Sequence, residues 1–331
     1  MNEVKTTAKT NFKWVGKRTR RPDGPDKVTG RARYGDDMVM PGMLYGKTLR
    51  SPHAHAKILS IDTSKAEALK GVKAVVTHKD IPDHPLLEPP YGPMIADLHD
   101  ISRNVMAREK VLYDGHAVAA VAATSERIAR AAIKLIEVEY EILPHVLDPL
   151  AAAQPGAPIL HDHQFTHGIE PKPEKPSNVF RVVSAERGDL KKGFADADII
   201  VEREFRSEPV HQGYIEPQAL IATASEDGAV EIWTTTQGHF VIRGLCARLL
   251  NMDMSSIRVT ASEIGGGFGG KNNVYSEPVA IRLSQKTGRP VRMVMTRSEV
   301  FRGTGPASGT YSRVRMGAKR DGTIVAAEAE I

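Results

Sequence analysis

The stretch IGGGFGGKNN, residues 264–273, sets five glycines around one phenylalanine and ends on a lysine followed by two asparagines. It follows SIRVTASEI (256–264), an alternation of apolar and polar residues that predicts a half-buried strand. It precedes YSEPVAIRLSQKTG (275–288), whose apolar spacing predicts a helix stopped by Gly288. The kind of chain this is depends on what the glycine loop between strand and helix holds. A P-loop needs Gly265, four residues, Gly270 and Lys271, then a Ser or Thr for Mg²⁺, and the next residue is Asn272. Phe268 also stands where a phosphate wants only amides. The dinucleotide spacing threads through Gly265, Gly267 and Gly270, but no acidic ribose partner follows on a later strand. Two readings remain open from the residues alone. Either the bare backbone brings amides close to a polar cofactor with Phe268 as a flat wall beside it, or this is a glycine-rich turn with no ligand.

At 331 residues the chain has material for two domains, and 41% hydrophobic with 26% charged residues is ordinary for a soluble globular protein. No apolar run is long enough to span a bilayer. The polar N-terminus MNEVKTTAKTNFKW has no apolar signal core, and Arg20-Arg21 is followed by PDGPDKVTG instead of a hydrophobic stretch, so the expected location is the cytoplasm. A single cysteine, Cys246, rules out an internal disulfide and a self-contained iron–sulfur cluster or Cys-rich zinc site. It lies in the helical pattern VIRGLCARLL and reads as a small buried thiol. The net charge of +5 is scattered apart from KRTRR at 17–21. No aromatics interleave with that basic run and no nucleic-acid motif follows, so it reads as a solvated or subunit-contacting arm, with neither nucleic acid nor membrane as partner.

Residues 1–20 form this N-terminal arm. Residues 21–145 alternate strands (AKILSIDTS, VKAVVT, HAVAAVAA, EVEYEIL) with helices (SKAEALKG, capped by Ser64, and TSERIARAAIKLI, capped by Thr124 or Ser125), which predicts an α+β domain. Residues 146–180 are proline-rich and aperiodic and read as a linker. Its histidines, His161, His163 and His167, match no standard zinc spacing and read as linker histidines. From 181 to 331, strands are expected at ADIIVEREFR, AVEIWTTTQ, SIRVTASEI and RPVRMVMT, with a helix at HFVIRGLCARLLN and a closing hairpin turning at Asp321-Gly322. The chain stops at Ile331 inside an alternating pattern, so this second domain is expected to be incomplete as written.

Three ordered motifs, HQGYIEP (211–217), TTTQ (234–237) and GGGFGGK (265–271), together with the opening RPDGPDKVTGRARYGDDMVMPGMLYGKTLRSPHAHAKI (21–58), resemble the large subunit of molybdenum hydroxylases, the xanthine dehydrogenase and aldehyde oxidase family. The nearest subgroup is that of bacterial enzymes including hydroxybenzoyl-CoA reductase. The resemblance implies an α/β hammerhead domain followed by the first part of an α+β molybdenum-cofactor-binding domain. It implies that Gln237 approaches the apical oxo group of molybdenum and that Phe268 and Gly269 lie against the metal–pterin unit, with Gly265, Gly266, Gly267 and Gly270 shaping the loop. Gln237 and Phe268 would then be close to molybdenum without ligating it, because the pterin dithiolene holds the metal.

It further implies the cytosine dinucleotide form of molybdopterin, a [2Fe–2S] subunit, an FAD subunit and, if the large subunit is divided, a chain carrying its remaining half. The family's general base, a glutamate, belongs to a motif far downstream of the glycine loop, so no catalytic residue is assigned within this chain and the base is expected beyond Ile331. Glu263 and Glu277 flank the loop without occupying the base position, and Glu216 and His211 read as supporting residues. Purine-oxidising relatives carry a glutamate where this chain has neutral Asn272, which weighs against xanthine and leaves an aromatic CoA thioester, an N-heterocycle or an aldehyde. The competing expectation is a non-catalytic truncated or assembly-related chain of the same family.

Overall fold

The run AVAAVAA at 117–123 is buried at every position, on both faces of its strand. In a computed structural model that describes residues 12–86 and 97–331, this strand lies next to the edge strand of a seven-stranded sheet. The first region contributes α1 (Gly24–Thr29), β1 (Leu44–Arg50), β2 (Ala56–Asp62), α2 (Ser64–Glu67), β3 (Val72–Thr77), α3 (Leu98–Val105), β4 (Lys110–Val111), β5 (Ala117–Ala123), α4 (Glu126–Ile133) and β6 (Glu137–Ile142). A short α5 (Pro149–Ala152) stands in the proline-rich segment. The later region adds α6 (Leu190–Ala195), β7 (Ile199–Ser207), β8 (Ala219–Ala224), β9 (Val230–Thr234), α7 (His239–Leu249) and β10 (Ile257–Ala261). It closes with α8 (Glu277–Thr287), β11 (Val291–Val294), α9 (Arg297–Gly303), β12 (Thr310–Ala318) and β13 (Ile324–Glu330).

The large sheet has the order β10-β9-β8-β11-β1-β5-β3, so strands from both regions share one set of hydrogen bonds. The joint is the parallel pair β1–β11, with Leu44 opposite Val291 and Gly46 opposite Met293. Pleating splits β5 between two cores. Ala119, Val121 and Ala123 pack with Ala129 and Ala132 of α4 and Ala66 of α2. Ala120 and Ala122 face a larger core with Leu44, Val291, and Ala280, Ile281 and Leu283 of α8. Helices cover both faces, which leaves room for small side chains only. Two smaller antiparallel sheets, β4-β2-β6 and β13-β12-β7, complete the α+β fold.

Local signals explain most of the elements. The Ser125 hydroxyl accepts from the Ile128 amide and starts α4, Gly288 at φ 62° ends α8, and Gly322 at φ 91° turns the last hairpin. The expected cap of α2 is displaced by one residue: Thr63 is the N-cap, and Ser64 is already helical, its amide held by Asp62 Oδ1 at 2.9 Å. Strand β1 has no sequence signal because Lys47 interrupts its apolar run. That lysine is buried, donating to the Val294 carbonyl at 3.0 Å and pairing with Glu126 at 3.0 Å.

Candidate functional site

Strand β9 ends at Thr234, and the next three residues run across the base of the glycine loop. The Thr236 hydroxyl and the Gln237 amide both donate to the Lys271 carbonyl, at 2.9 and 3.0 Å. In return Gln237 Oε1 accepts from the amides of Gly269, at 3.0 Å, and Lys271, at 3.3 Å. The carbonyl end of this carboxamide is thus spent inside the loop, and what it has left to offer is its Nε2 donors. Gly267 must be glycine for this contact, since a Cβ there would lie 2.5 Å from Gln237 Oε1. The loop runs left-handed at Gly266, at Phe268 (φ 51°) and at Gly269 (φ 86°). Phe268 is 74% exposed, and a Cβ on Gly269 would meet nothing within 4 Å. The same loop is therefore close-packed on its inner side and open on its outer side.

The inner side is built from HQGYIEP. Glu216 Oε2 accepts from the Gly265 amide at 2.7 Å and from Lys271 Nζ at 2.9 Å, while Oε1 accepts from the Gly35 amide at 3.2 Å. Lys271 is fully buried, its ammonium 4.9 Å from the Tyr214 ring centroid. Burial lowers its pKa, against the raising pull of Glu216. This disposes of the P-loop alternative: the lysine is locked to a carboxylate and cannot reach a phosphate. Tyr214 fills the space beneath Gly266 and Gly270. His211 accepts from the Gly213 amide at Nδ1 (3.0 Å) and meets the Thr304 hydroxyl at Nε2 (2.8 Å), so both ring nitrogens are used within the protein.

The two carboxylates that flank the loop are engaged as well. Glu263 pairs with Lys27 of α1. Glu277 is buried, accepting from the Thr234 hydroxyl (2.9 Å) and the Tyr275 amide (2.8 Å), and burial raises its pKa. Nearby Gln212 presses on Gly270, and its buried Oε1 has no partner among the described residues.

The structure thus gathers Gln237 against the loop of Gly265, Gly266, Gly267, Phe268, Gly269 and Gly270, whose outer side carries the exposed Phe268 ring and the open backbone of Gly269. Such a cradle suits a large polar cofactor that brings its own metal ligands: Gln237 supplies Nε2 donors, the loop supplies one exposed aromatic wall, and neither offers a Cys or His. Sequence reasoning missed Tyr214, the burial of Lys271 and the part played by Gly35. All three stood inside quoted motifs, but no local pattern relates Gly35 to Glu216, 181 residues away.

Residues 171–331 match the family model "Molybdopterin cofactor-binding domain", and residues 29–144 match "Aldehyde oxidase and xanthine dehydrogenase, a/b hammerhead domain". The fold and site therefore define a molybdopterin-binding chain. It belongs to the xanthine dehydrogenase and aldehyde oxidase family of molybdenum hydroxylases.

Among relatives, it is 36% identical over 311 residues to a probable xanthine dehydrogenase chain of Bacillus subtilis, covering 94% of this chain and 39% of that protein. It is 36% identical over 304 residues to the carbon monoxide dehydrogenase large chain of Afipia carboxidovorans, covering 90% and 36% respectively. Among solved structures, quinoline 2-oxidoreductase from Pseudomonas putida 86 superposes with a TM-score of 0.79 at 31% identity, covering 94% of this chain and 38% of that one. The chain thus spans well under half the length of these relatives. No helix among the described residues is long and apolar enough to cross a membrane.

Proposed function

We propose that this chain is the cofactor-holding part of a cytoplasmic molybdenum hydroxylase acting on an aromatic, N-heterocyclic or aldehyde substrate. In this reading electrons leave through a [2Fe–2S] subunit to an FAD subunit, and the rest of the large-subunit fold is supplied in cis or by a second chain. The observation that carries the proposal is the Gln237–Gly269 hydrogen bond, which closes the inner side of the loop while its outer side stays open. When bound, a molybdenum–pterin unit, taken here as the cytosine dinucleotide form, supplies the two-electron redox chemistry.

This chain's own residues position it. Gln237 presents Nε2 as a donor, Phe268 offers an apolar wall, and the glycines at 265–267, 269 and 270 keep side chains out of the way. Glu216 and Lys271 stiffen the loop from behind. Glu216, Glu263 and Glu277 are each committed to internal partners, and the family resemblance implies that the general base is a glutamate of a motif far downstream of the glycine loop, in the remaining part of the large-subunit fold. Asn272 is exposed and neutral and favours a substrate with no need of a carboxylate there.

The test is metal analysis of the complex purified from its native host. Stoichiometric molybdenum, with iron and flavin on co-purifying subunits, is expected. A complex without molybdenum would sink the proposal.

A further inference from the structure

A second cluster of chemistry-bearing side chains forms where the histidine-rich segment meets α3. Two of the histidines read as linker residues, His161 and His163, face Asp100 of α3. His163 Nε2 lies 2.9 Å from Asp100 Oδ1, and His161 Nδ1 lies 3.9 Å from the same oxygen. The His99 and His163 rings meet edge to face, 4.9 Å between centroids. One ligand atom from each of His99, Asp100 and His163 falls within 4.8 Å of the others. In a four-coordinate site with bonds of about 2.0–2.1 Å, neighbouring ligand atoms are roughly 3.3 Å apart. The separations of 2.9 and 3.9 Å bracket that value, and the His99 ligand atom lies within 4.8 Å of those of Asp100 and His163, so side-chain rotation that draws it inward would close the shell.

An independent feature points the same way. His99 Nδ1 is 2.9 Å from the His84 carbonyl, which can only accept, so Nδ1 carries the proton and Nε2 carries a free lone pair. A ring nitrogen donating to a backbone carbonyl is the usual outer-sphere arrangement of a metal-ligating histidine. The His99 amide is also held by Asp97 Oδ1 at 2.9 Å, which fixes the backbone from which the ring projects.

The nearby cations are already matched. Lys110 Nζ is bound by Asp162 Oδ2 (2.7 Å) and the Leu160 carbonyl (3.0 Å), and Arg103 lies between Asp83 and Glu109. The four candidate ligands line a cavity of about 230 Å³ and are half-buried, so an ion has both room and an entry path. Imidazoles with one carboxylate suit a borderline cation of the zinc type and not calcium or magnesium.

We infer that His99, Asp100 and His163, with His161 as fourth ligand, form a binding site for a divalent transition-metal ion that clamps the 161–163 segment onto α3. The inference is independent of molybdenum, because none of these residues contacts the glycine loop.

The test is titration of metal-free, untagged protein with Co²⁺, followed by competition with Zn²⁺. A stoichiometric site with the visible bands of four-coordinate cobalt, displaced by zinc, is expected. Asp100→Asn is nearly isosteric and spares the fold, and His163→Ala removes a ligand. Each should weaken binding by more than the ~10–100-fold that loss of an outer-sphere partner costs. His167→Ala, in the same segment but outside the cluster, should bind as the parent does. Zinc should raise the melting temperature of the parent but not of Asp100→Asn. Cobalt spectra of only weak six-coordinate binding, or Asp100→Asn and His163→Ala both binding as the parent does, would overturn the inference.

Discussion

Phe268 adopts a left-handed backbone at φ 51° and leaves 74% of its surface exposed. That conformation costs a non-glycine residue about 1–2 kcal/mol, and the fold recovers little through packing. Truncating a core aromatic costs about 3–5 kcal/mol, but Phe268 is not in the core. Phe268→Gly is therefore expected to leave the melting temperature within roughly 4 °C of the parent while molybdenum content falls. Gly269→Val places a branched residue at φ 86° and fills the open side of the loop, so it should lose molybdenum more completely. Full metal content in Gly269→Val would refute the loop assignment.

Behind the loop, Lys271→Met leaves the Glu216 carboxylate buried without its cation. A cost of about 3–5 kcal/mol is expected, read from denaturant midpoints. Glu216→Gln should be similarly costly, and the double variant should cost clearly less than the two singles together. Simple additivity would show that the pair is not coupled. The need for bare backbone at 265–270 was legible in the sequence. The identity of the brace was not, because its parts come from residues 35, 216, 265 and 271, and no local periodicity relates amides and carboxylates so far apart.

At the scale of elements, periodicity and caps exposed α4, α8, β5, β9 and the last hairpin, because each follows a local rule. Strand β1 stayed hidden because its identity depends on Lys47 finding a carbonyl and a carboxylate in other elements. The turn that delivers β5 holds a titrating group equally invisible to pattern reading. His116 accepts from the Leu112 amide at Nδ1 (3.1 Å) and donates from Nε2 to the Arg103 carbonyl (2.8 Å), stacked on Tyr113. Protonation would destroy the first bond, and burial pushes the pKa down to about 4.

With the folded pKa below the unfolded value of about 6.5, the neutral ring contributes stability that is complete above pH 6.5 and lost as pH falls toward 4. A shift of that size corresponds to roughly 3 kcal/mol. His116→Gln should lower stability at pH 7 but flatten its decline between pH 6.5 and 4, measured as urea midpoint against pH. An unchanged slope would remove His116 from the account. Glu126, held down to about 2 by Arg130 and then Lys47, acts in a lower window, its contribution present above about 4.5 and lost on acidification below that.

Over the whole molecule, the proline-rich segment 146–180 divides the sequence, but main-chain pairing crosses the division. Besides the β1–β11 ladder, Lys286 of α8 donates to the Val75 carbonyl of β3 at 2.9 Å and pairs with Asp80 at 2.5 Å. Arg302 of α9 pairs with Asp114, and a Cβ on Gly46 of β1 would lie 2.5 Å from the Met293 side chain of β11. Residues before 145 and after 180 therefore share one core, and neither set of strands can leave the sheet without uncovering α8. The exposed stretch around residues 170–175 is the place to cut. Limited proteolysis there should give two fragments that stay together through gel filtration and unfold in one transition at a midpoint close to that of the uncut chain. Sheet β7-β12-β13 is the exception to this shared stability, since all of β7 is exposed and Ile199, Val201, Phe205 and Met316 face solvent. Its amides should exchange with solvent by local opening, while those of β1, β5 and β11 should exchange only through global unfolding. Fragments that separate without denaturant, or a first transition that takes β1 and β5 while β8 and β11 stay folded, would mean that the two regions merely touch.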